Sequence, residues 1–379
     1  MTDLKIKIFV AGDFCPVNRV DKLLKEKKSD DLFIDLKQLI DPVDISILNL
    51  ECPITSSNKP LEKTGPNLKG DKSALHLLKK SGITLLTLAN NHIMDFGNQG
   101  LKDTIKELEN ESISFIGAGS DYEEAKRPFI FEKEGYKIGI LNVTENEWST
   151  TFGNYPGANP IDPVQNYMHI QSLKQQVNKV IVITHGGHEM YNLPSPRMKK
   201  LFRFYVDAGA DAVINHHTHV FSGYEIYKGA PIMYSLGNFL FDNPQYVDSP
   251  WNTGLVCVFE ITSNAIEVQP YFIEQSNKNP EIKLIRGEHE KSLMNQLHNL
   301  NNIIQNDIAL EESFNKYTAR VSRLYSSYLE PISNRILIAL INRGLFPSIW
   351  SRRKRLYLEN LIRCEAHRDI VLNLLSKEK

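Results

Sequence analysis

Six residues of cation-binding type stand directly after short β-branched runs: Asp13, Glu51, Asn91, His185, His217 and His219. Carboxylate oxygens, imidazole nitrogens and an amide oxygen are what a two-metal hydrolytic site gathers around cations about 3.5 to 4 Å apart, one carboxylate bridging and one face open to water and substrate. His217 and His219 are two apart, a spacing that turns both side chains to one side of an extended segment. Singly, each residue has a plainer role: an Asp after a strand caps a helix or forms a turn, neighbouring Asn residues form turns, and a histidine packs in a core. Six together at successive strand ends point to a metal site.

Strands must carry these residues. To about residue 275, β-branched runs alternate with amphipathic stretches, the pattern of an α/β fold. The runs Ile6 to Ala11, Ile45 to Leu50, Ile83 to Leu88, Ile113 to Ile116, Ile138 to Val143, Val180 to Thr184 and Ala212 to Ile214 come first. Ile232 to Leu236, Leu255 to Ile261 and Ile266 to Phe272 follow with little helix between, which predicts an antiparallel finish and two packed sheets flanked by helices. Polar clusters follow five of the earlier strands, ending in Asp13, Glu51, His92, Glu189 and His219. Ligands bind beyond the carboxyl ends of strands in such sheets, so these clusters can meet on one rim.

Beyond Pro280 the period changes to helical, first through Leu293, Leu297, Leu300, Ile304 and Ile308, then through Phe314, Tyr317, Val321, Leu324 and Tyr328. Pro331 and Gly344 to Pro347 break this region into pieces. A chain of 379 residues exceeds the roughly 250 to 300 at which one core stops growing. The sequence therefore divides into residues 1–280 and a helical extension, 281–379. With 41% hydrophobic residues and a formal charge of -1, no nucleic acid or other polyanionic partner is implied by the overall balance. Residues 281–379 nevertheless hold 16 Lys and Arg against 11 Asp and Glu. The widely spaced Cys15, Cys52, Cys257 and Cys364 read as reduced thiols, and the polar start Met1-Thr2-Asp3 lacks a signal peptide, so a cytoplasmic protein is expected. The apolar run 336–341 is far shorter than the about 20 residues of a membrane span.

Over about residues 5 to 275 the motifs resemble the CapA family of poly-γ-glutamate and capsule synthesis, a branch of the metallophosphoesterases. The resemblance is carried by Gly12-Asp13, Asn49-Leu50-Glu51, Ala89-Asn90-Asn91-His92 with Asp95 and Gly97, and His185 with Gly187 and Glu189. His217-Thr218-His219-Val220, Gly223-Tyr224-Glu225 and Tyr234-Ser235-Leu236-Gly237-Asn238-Phe239 before Phe241-Asp242 complete it. It implies a metallophosphoesterase-like two-sheet sandwich. It also implies one or two divalent cations (Mn, Zn, Mg or Fe) on Asp13, Glu51, Asn91, His185, His217 and His219. The superfamily opens with an Asp-x-His pair, whereas Asp13-Phe14-Cys15 lacks the imidazole, and Glu51 takes the bridging place of an Asp. Cys15 reads as a packed thiol, with a zinc-binding thiolate as the alternative. By the same likeness His92 protonates the leaving oxygen or stabilises developing charge, and Asp95 orients it. Glu189 is then a carboxylate behind the ligands or facing substrate. Ser235 lacks the Gly-x-Ser-x-Gly pattern, which excludes a serine hydrolase of that kind.

Two functions follow from the resemblance. One is a hydrolase of phosphoesterase type acting on an anionic polymer or phosphoester in capsule, poly-γ-glutamate or exopolysaccharide synthesis. The other is a non-catalytic metal-binding factor that supports capsule-synthesis proteins. Phe346, Trp350 and Arg352-Arg353-Lys354-Arg355 adjoin the apolar run 336–341. The simpler reading of that face is packing against the rest of the chain or another subunit, and the second is peripheral contact with the inner membrane face.

Overall fold

Strands form over the β-branched runs, and their pairing sorts them into two sheets. The computed structural model describes residues 4–29, 32–63, 65–329, 333–347 and 350–363. In chain order the strands are β1 (Ile6–Cys15), β2 (Ile45–Leu50), β3 (Leu85–Thr87), β4 (Ser114–Ile116), β5 (Ala118–Gly119), β6 (Phe129–Lys133), β7 (Tyr136–Thr144) and β8 (Gly157–Ala158). They continue as β9 (Lys179–His185), β10 (Ala212–His216), β11 (Tyr224–Tyr227), β12 (Ala230–Met233), β13 (Asn238–Phe241), β14 (Thr253–Ile261), β15 (Ile266–Gln275) and β16 (Ile282–Leu284).

The first sheet runs β16-β15-β14-β1-β2-β3-β4, with β13 parallel to the end of β1. The second runs β11-β12-β10-β9-β7-β6, and β5 and β8 form a small ribbon. Strands β1 to β4 are parallel, as are β7, β9, β10 and β12, while β14, β15 and β16 form the antiparallel finish. This is the two-sheet α/β sandwich with flanking helices that the sequence leads one to expect.

Parallel strands covered on both faces become continuous apolar runs, and every residue of β2 is buried. Helix Ser73–Lys80 turns Ala74, Leu75, Leu77 and Leu78 onto one apolar cluster with Phe9, Phe14, Leu48 and Leu86. Each such Leu contributes roughly 1.5 to 3 kcal/mol by leaving water. A bond across the sheets, Ala89 N–H donating to Asn142 Oδ1 on β7 at 2.7 Å, ties the loop after β3 to the second sheet. Ser195 caps helix Pro196–Asp207, its hydroxyl accepting from Met198 N–H, with Pro196 opening the first turn.

By contact the chain forms two units, Met1–Glu311 and Glu312–Lys379. The first takes in helix Glu288–Gln305, whose Leu293, Leu297, Leu300 and Ile304 are buried, and Asn301 Oδ1 accepts from Tyr224 N–H at 2.7 Å. Strand β16 and this helix both lie beyond position 280 and within the first unit. The second unit holds most of helix Asp307–Leu329, then Arg335–Asn342, capped by the Asn334 side chain, and Arg352–Arg363. Gly344 ends the middle helix at a φ of 70°. Pro331 and Cys364 lie outside the described residues. Among the described residues no helix is long and apolar enough to cross a membrane.

Candidate metal centre

A side chain on Gly12 would collide with the Gly237 carbonyl oxygen, so only glycine lets β1 approach the 235–238 turn. Asp13 N–H then donates to Gly237 O at 3.1 Å, and β1 shifts register at Asp13 and Phe14. The Asp13 carboxylate is held from two sides, accepting from Asn49 Nδ2–H at 2.7 Å and from His217 N–H at 3.1 Å.

Glu51 follows β2, anchored by its own N–H on Phe14 O at 2.9 Å. Its carboxylate is wholly buried, and neither oxygen has a hydrogen-bond donor among the described residues. Around it stand imidazoles and an amide oxygen. His185 Nε2, at the end of β9, lies 3.5 Å from Glu51 Oε1, 3.1 Å from Asn91 Oδ1 and 3.2 Å from His217 Nδ1. A single proton on His185 Nε2 satisfies one of those three partners, whereas a cation satisfies all of them.

On the other side His219 Nε2 lies 3.9 Å from Glu51 Oε1, and His219 Nδ1 lies 3.6 Å from Asp13 Oδ2. Two groups of metal-binding geometry result, Glu51 with His185 and His217, and Asp13 with Glu51 and His219. Glu51 is common to both. Hard carboxylate oxygens and imidazole nitrogens fit divalent cations of the Mn, Fe or Zn type.

The electrostatics agree. Burial, reinforced by Asp13, pushes the Glu51 carboxyl well above the usual range, and burial raises that of Asp13 to about 7. Burial and neighbouring imidazoles hold His185 well below its ordinary value and bring His219 to about 3. Such a set is costly on its own and is relieved by positive charge.

The chain is not extended at the His-x-His pair, contrary to the two-residue alternation argument. His217 has a φ of 94° and His219 a φ of 59°, left-handed values that cost about 1 to 3 kcal/mol each and persist where surroundings enforce them. The turn sends one imidazole to each group. Asn238 fixes His219, its Oδ1 lying 3.0 Å from Nδ1, and the Trp251 ring covers the imidazole at 4.5 Å.

Asn90 is the turn residue of the loop after β3: its Nδ2–H donates to Leu50 O at 2.7 Å and its Oδ1 accepts from His92 N–H at 3.1 Å. That leaves Asn91 to face His185. His92 Nδ1 lies 2.7 Å from Asp95 Oδ2, and the ring borders a cavity of about 770 Å³ shared with His219 and Glu189. Glu189 is exposed on its rim. Cys15 is buried in the apolar cluster with Cys52, and burial, then Cys52, pushes its thiol well above the usual value. It belongs to neither metal-binding group, in keeping with a packed thiol.

Several contributors carry no individual signal in the sequence. Asn49 and Asn238 orient Asp13 and His219 from motifs that show only their types. His216, buried with Nδ1 3.7 Å from Asp13 Oδ1, is indistinguishable in sequence from its ligand-like neighbours. Lys63 forms a buried ion pair with Asp95 from an irregular segment. Other motif residues are structural: Glu225 takes Tyr234 O–H at 2.6 Å and pairs with Arg203, and Asp242 pairs with Arg19.

Residues 7–243 match the family described as bacterial capsule synthesis protein PGA_cap. The chain is 34% identical over 235 residues to PGA biosynthesis protein CapA of Bacillus subtilis, covering 61% of this chain and 62% of that protein. It is 31% identical over 247 residues to capsule biosynthesis protein CapA of Bacillus anthracis, covering 63% and 60%. The match thus spans about three-fifths of the length of these relatives. A hypothetical protein from Thermus thermophilus aligns in structure over 71% of this chain and 99% of its own, with a TM-score of 0.45 at 17% identity.

Proposed function

Since the chain belongs to the bacterial capsule synthesis protein family, we propose that it is a metal-dependent hydrolase of the metallophosphoesterase type, acting in synthesis or tailoring of capsule, poly-γ-glutamate or an exopolysaccharide. The observation that carries this reading is Glu51, a buried carboxylate without a hydrogen-bond donor among the described residues, which two ligand groups share. In this reading Glu51, Asn91, His185 and His217 hold one divalent cation, and Asp13, Glu51 and His219 hold another. Bound there, such cations would supply Lewis acidity and lower the pKa of water toward neutrality, which makes hydroxide available as the nucleophile.

The chain's own residues do the rest. Asn49 and Asn238 keep Asp13 and His219 aimed inward. With Nδ1–H hydrogen-bonded to the Asp95 carboxylate, the His92 imidazolium delivers its Nε2 proton to the leaving oxygen at the cavity wall and ends as the neutral imidazole, its Nδ1–H still held by Asp95. Glu189 meets substrate at the rim. Capsule-synthesis proteins are the partners that the family suggests.

The test is hydrolysis of p-nitrophenyl phosphate and bis(p-nitrophenyl) phosphate by protein loaded in turn with Mn, Zn, Mg and Fe. Turnover that requires the added metal is expected. Full metal occupancy without turnover would favour a non-catalytic assembly factor.

A further inference from the structure

We propose that Lys63 is a positioning residue that latches residues 55–62 and 65–72 onto Asp95, so that one residue sets both the wall of the substrate cavity and the His92 imidazole. The inference rests on the hydrolase reading, with His92 as its general acid.

The segment between Glu51 and helix Ser73–Lys80 has no helix and only an isolated bridge among its described residues, yet Thr55, Ser56, Asn67, Leu68 and Lys69 line the cavity. An irregular stretch of this length needs specific ties to hold one shape. Three of them end on Asp95. Leu61 N–H donates to its carbonyl oxygen at 2.8 Å, Leu68 N–H donates to Oδ2 at 2.7 Å, and Lys63 Nζ forms an ion pair with Oδ1. A cross-tie within the segment, Asn67 Nδ2–H to Leu61 O at 3.1 Å, joins the outer two.

Asp95 Oδ2 also faces His92 Nδ1 at 2.7 Å, so the carboxylate that turns His92 toward the cavity is the one that anchors the wall. Lys63 fixes the remaining oxygen. Its side chain is 3% exposed and that of Asp95 1%, so neither charge is solvated and each depends on the other. Lys63 Nζ lies 3.3 Å from His92 Nδ1 but does not line the cavity, which places it behind the imidazole and away from substrate. Without Lys63 the Asp95 carboxylate keeps only Oδ2 engaged, and the wall and His92 lose their common reference.

The experiment compares the full, metal-loaded chain with Lys63→Met and Lys63→Arg, reading amide hydrogen exchange at Leu61 and Leu68, metal content, and kcat on a p-nitrophenyl phosphoester. The Met variant is expected to keep its metal, to exchange about tenfold faster at those two amides, and to lose about tenfold in kcat, with Arg restoring most of both. Lys63→Gln replaces Met should that variant fail to fold. Unchanged exchange at Leu61 and Leu68 overturns the latch, whatever the turnover. Wild-type protein that turns over nothing while the Met variant exchanges faster overturns the hydrolase reading and leaves the latch standing.

Discussion

At the scale of residues, the centre is a set of imidazoles and an amide oxygen around a carboxylate that has no hydrogen-bond donor among the described residues, and its roles separate by mutation. His92→Ala is expected to lower hydrolysis by roughly 10² to 10⁴ and leave metal content intact, as removal of a general acid does. Full activity in that variant would make His92 structural. The site also sets a pH dependence. Burial raises the Asp13 carboxyl to about 7, so the metal-free fold holds a proton that the unfolded chain releases above about pH 4. A raised carboxyl contributes stability that is present at low pH and lost as pH climbs toward 7. His219, brought down to about 3, acts oppositely and costs stability as pH falls below about 6.5. Cation binding needs ionised carboxylates and neutral imidazoles, so added metal should raise Tm more at about pH 7.5 than at about pH 5.5. An equal rise at both, followed by scanning calorimetry, would count against Asp13 and His219 as ligands. Asp13, Glu51, Asn91, His185, His217 and His219 are legible as candidates in the sequence because their types are chemically restrictive and strand ends group them. Asn49, Asn238 and Lys63 are not, because each acts through a partner from a distant segment and an Asn or Lys alone names no partner.

At the scale of elements, the site depends on close approach of backbones. Gly12 lets β1 lie against the Gly237 carbonyl, which fixes Asp13 relative to His219 and Asn238. Gly12→Ala must push these strands apart, and urea unfolding should show a loss of roughly 1 to 3 kcal/mol, the usual cost of overpacking, together with weaker metal binding. Wild-type stability in that variant would mean the contact is relaxed in solution. Long buried strands such as β1, β2, β9 and β14 are plain in the sequence because an apolar run of that length must be covered. The short edge strands β6, β11 and β16, and β13 within its motif, escape notice because pairing with a neighbour, not their own composition, makes them strands. The left-handed turn at His217 and His219 is equally invisible, since tertiary contacts impose it on residues that do not favour it.

At the scale of the whole molecule, the helical tail and the metal content of the chain each make a prediction. Packing of the tail, the simpler role for Ile336 to Ile341 and Arg352 to Arg355, predicts no sedimentation with anionic vesicles at low salt. Binding that weakens with salt and disappears on deleting 331–379 would assign the tail to a membrane surface, where each basic residue contributes about 1 kcal/mol. The central claim is tested most directly by anomalous scattering from crystals grown with divalent metal. A peak bordered by Glu51, His185 and His217, or by Asp13, Glu51 and His219, is predicted, and it should vanish in the His217→Ala, His219→Ala double variant. A metal-replete crystal with no peak at either position, or a double variant that keeps its full metal content, would contradict it.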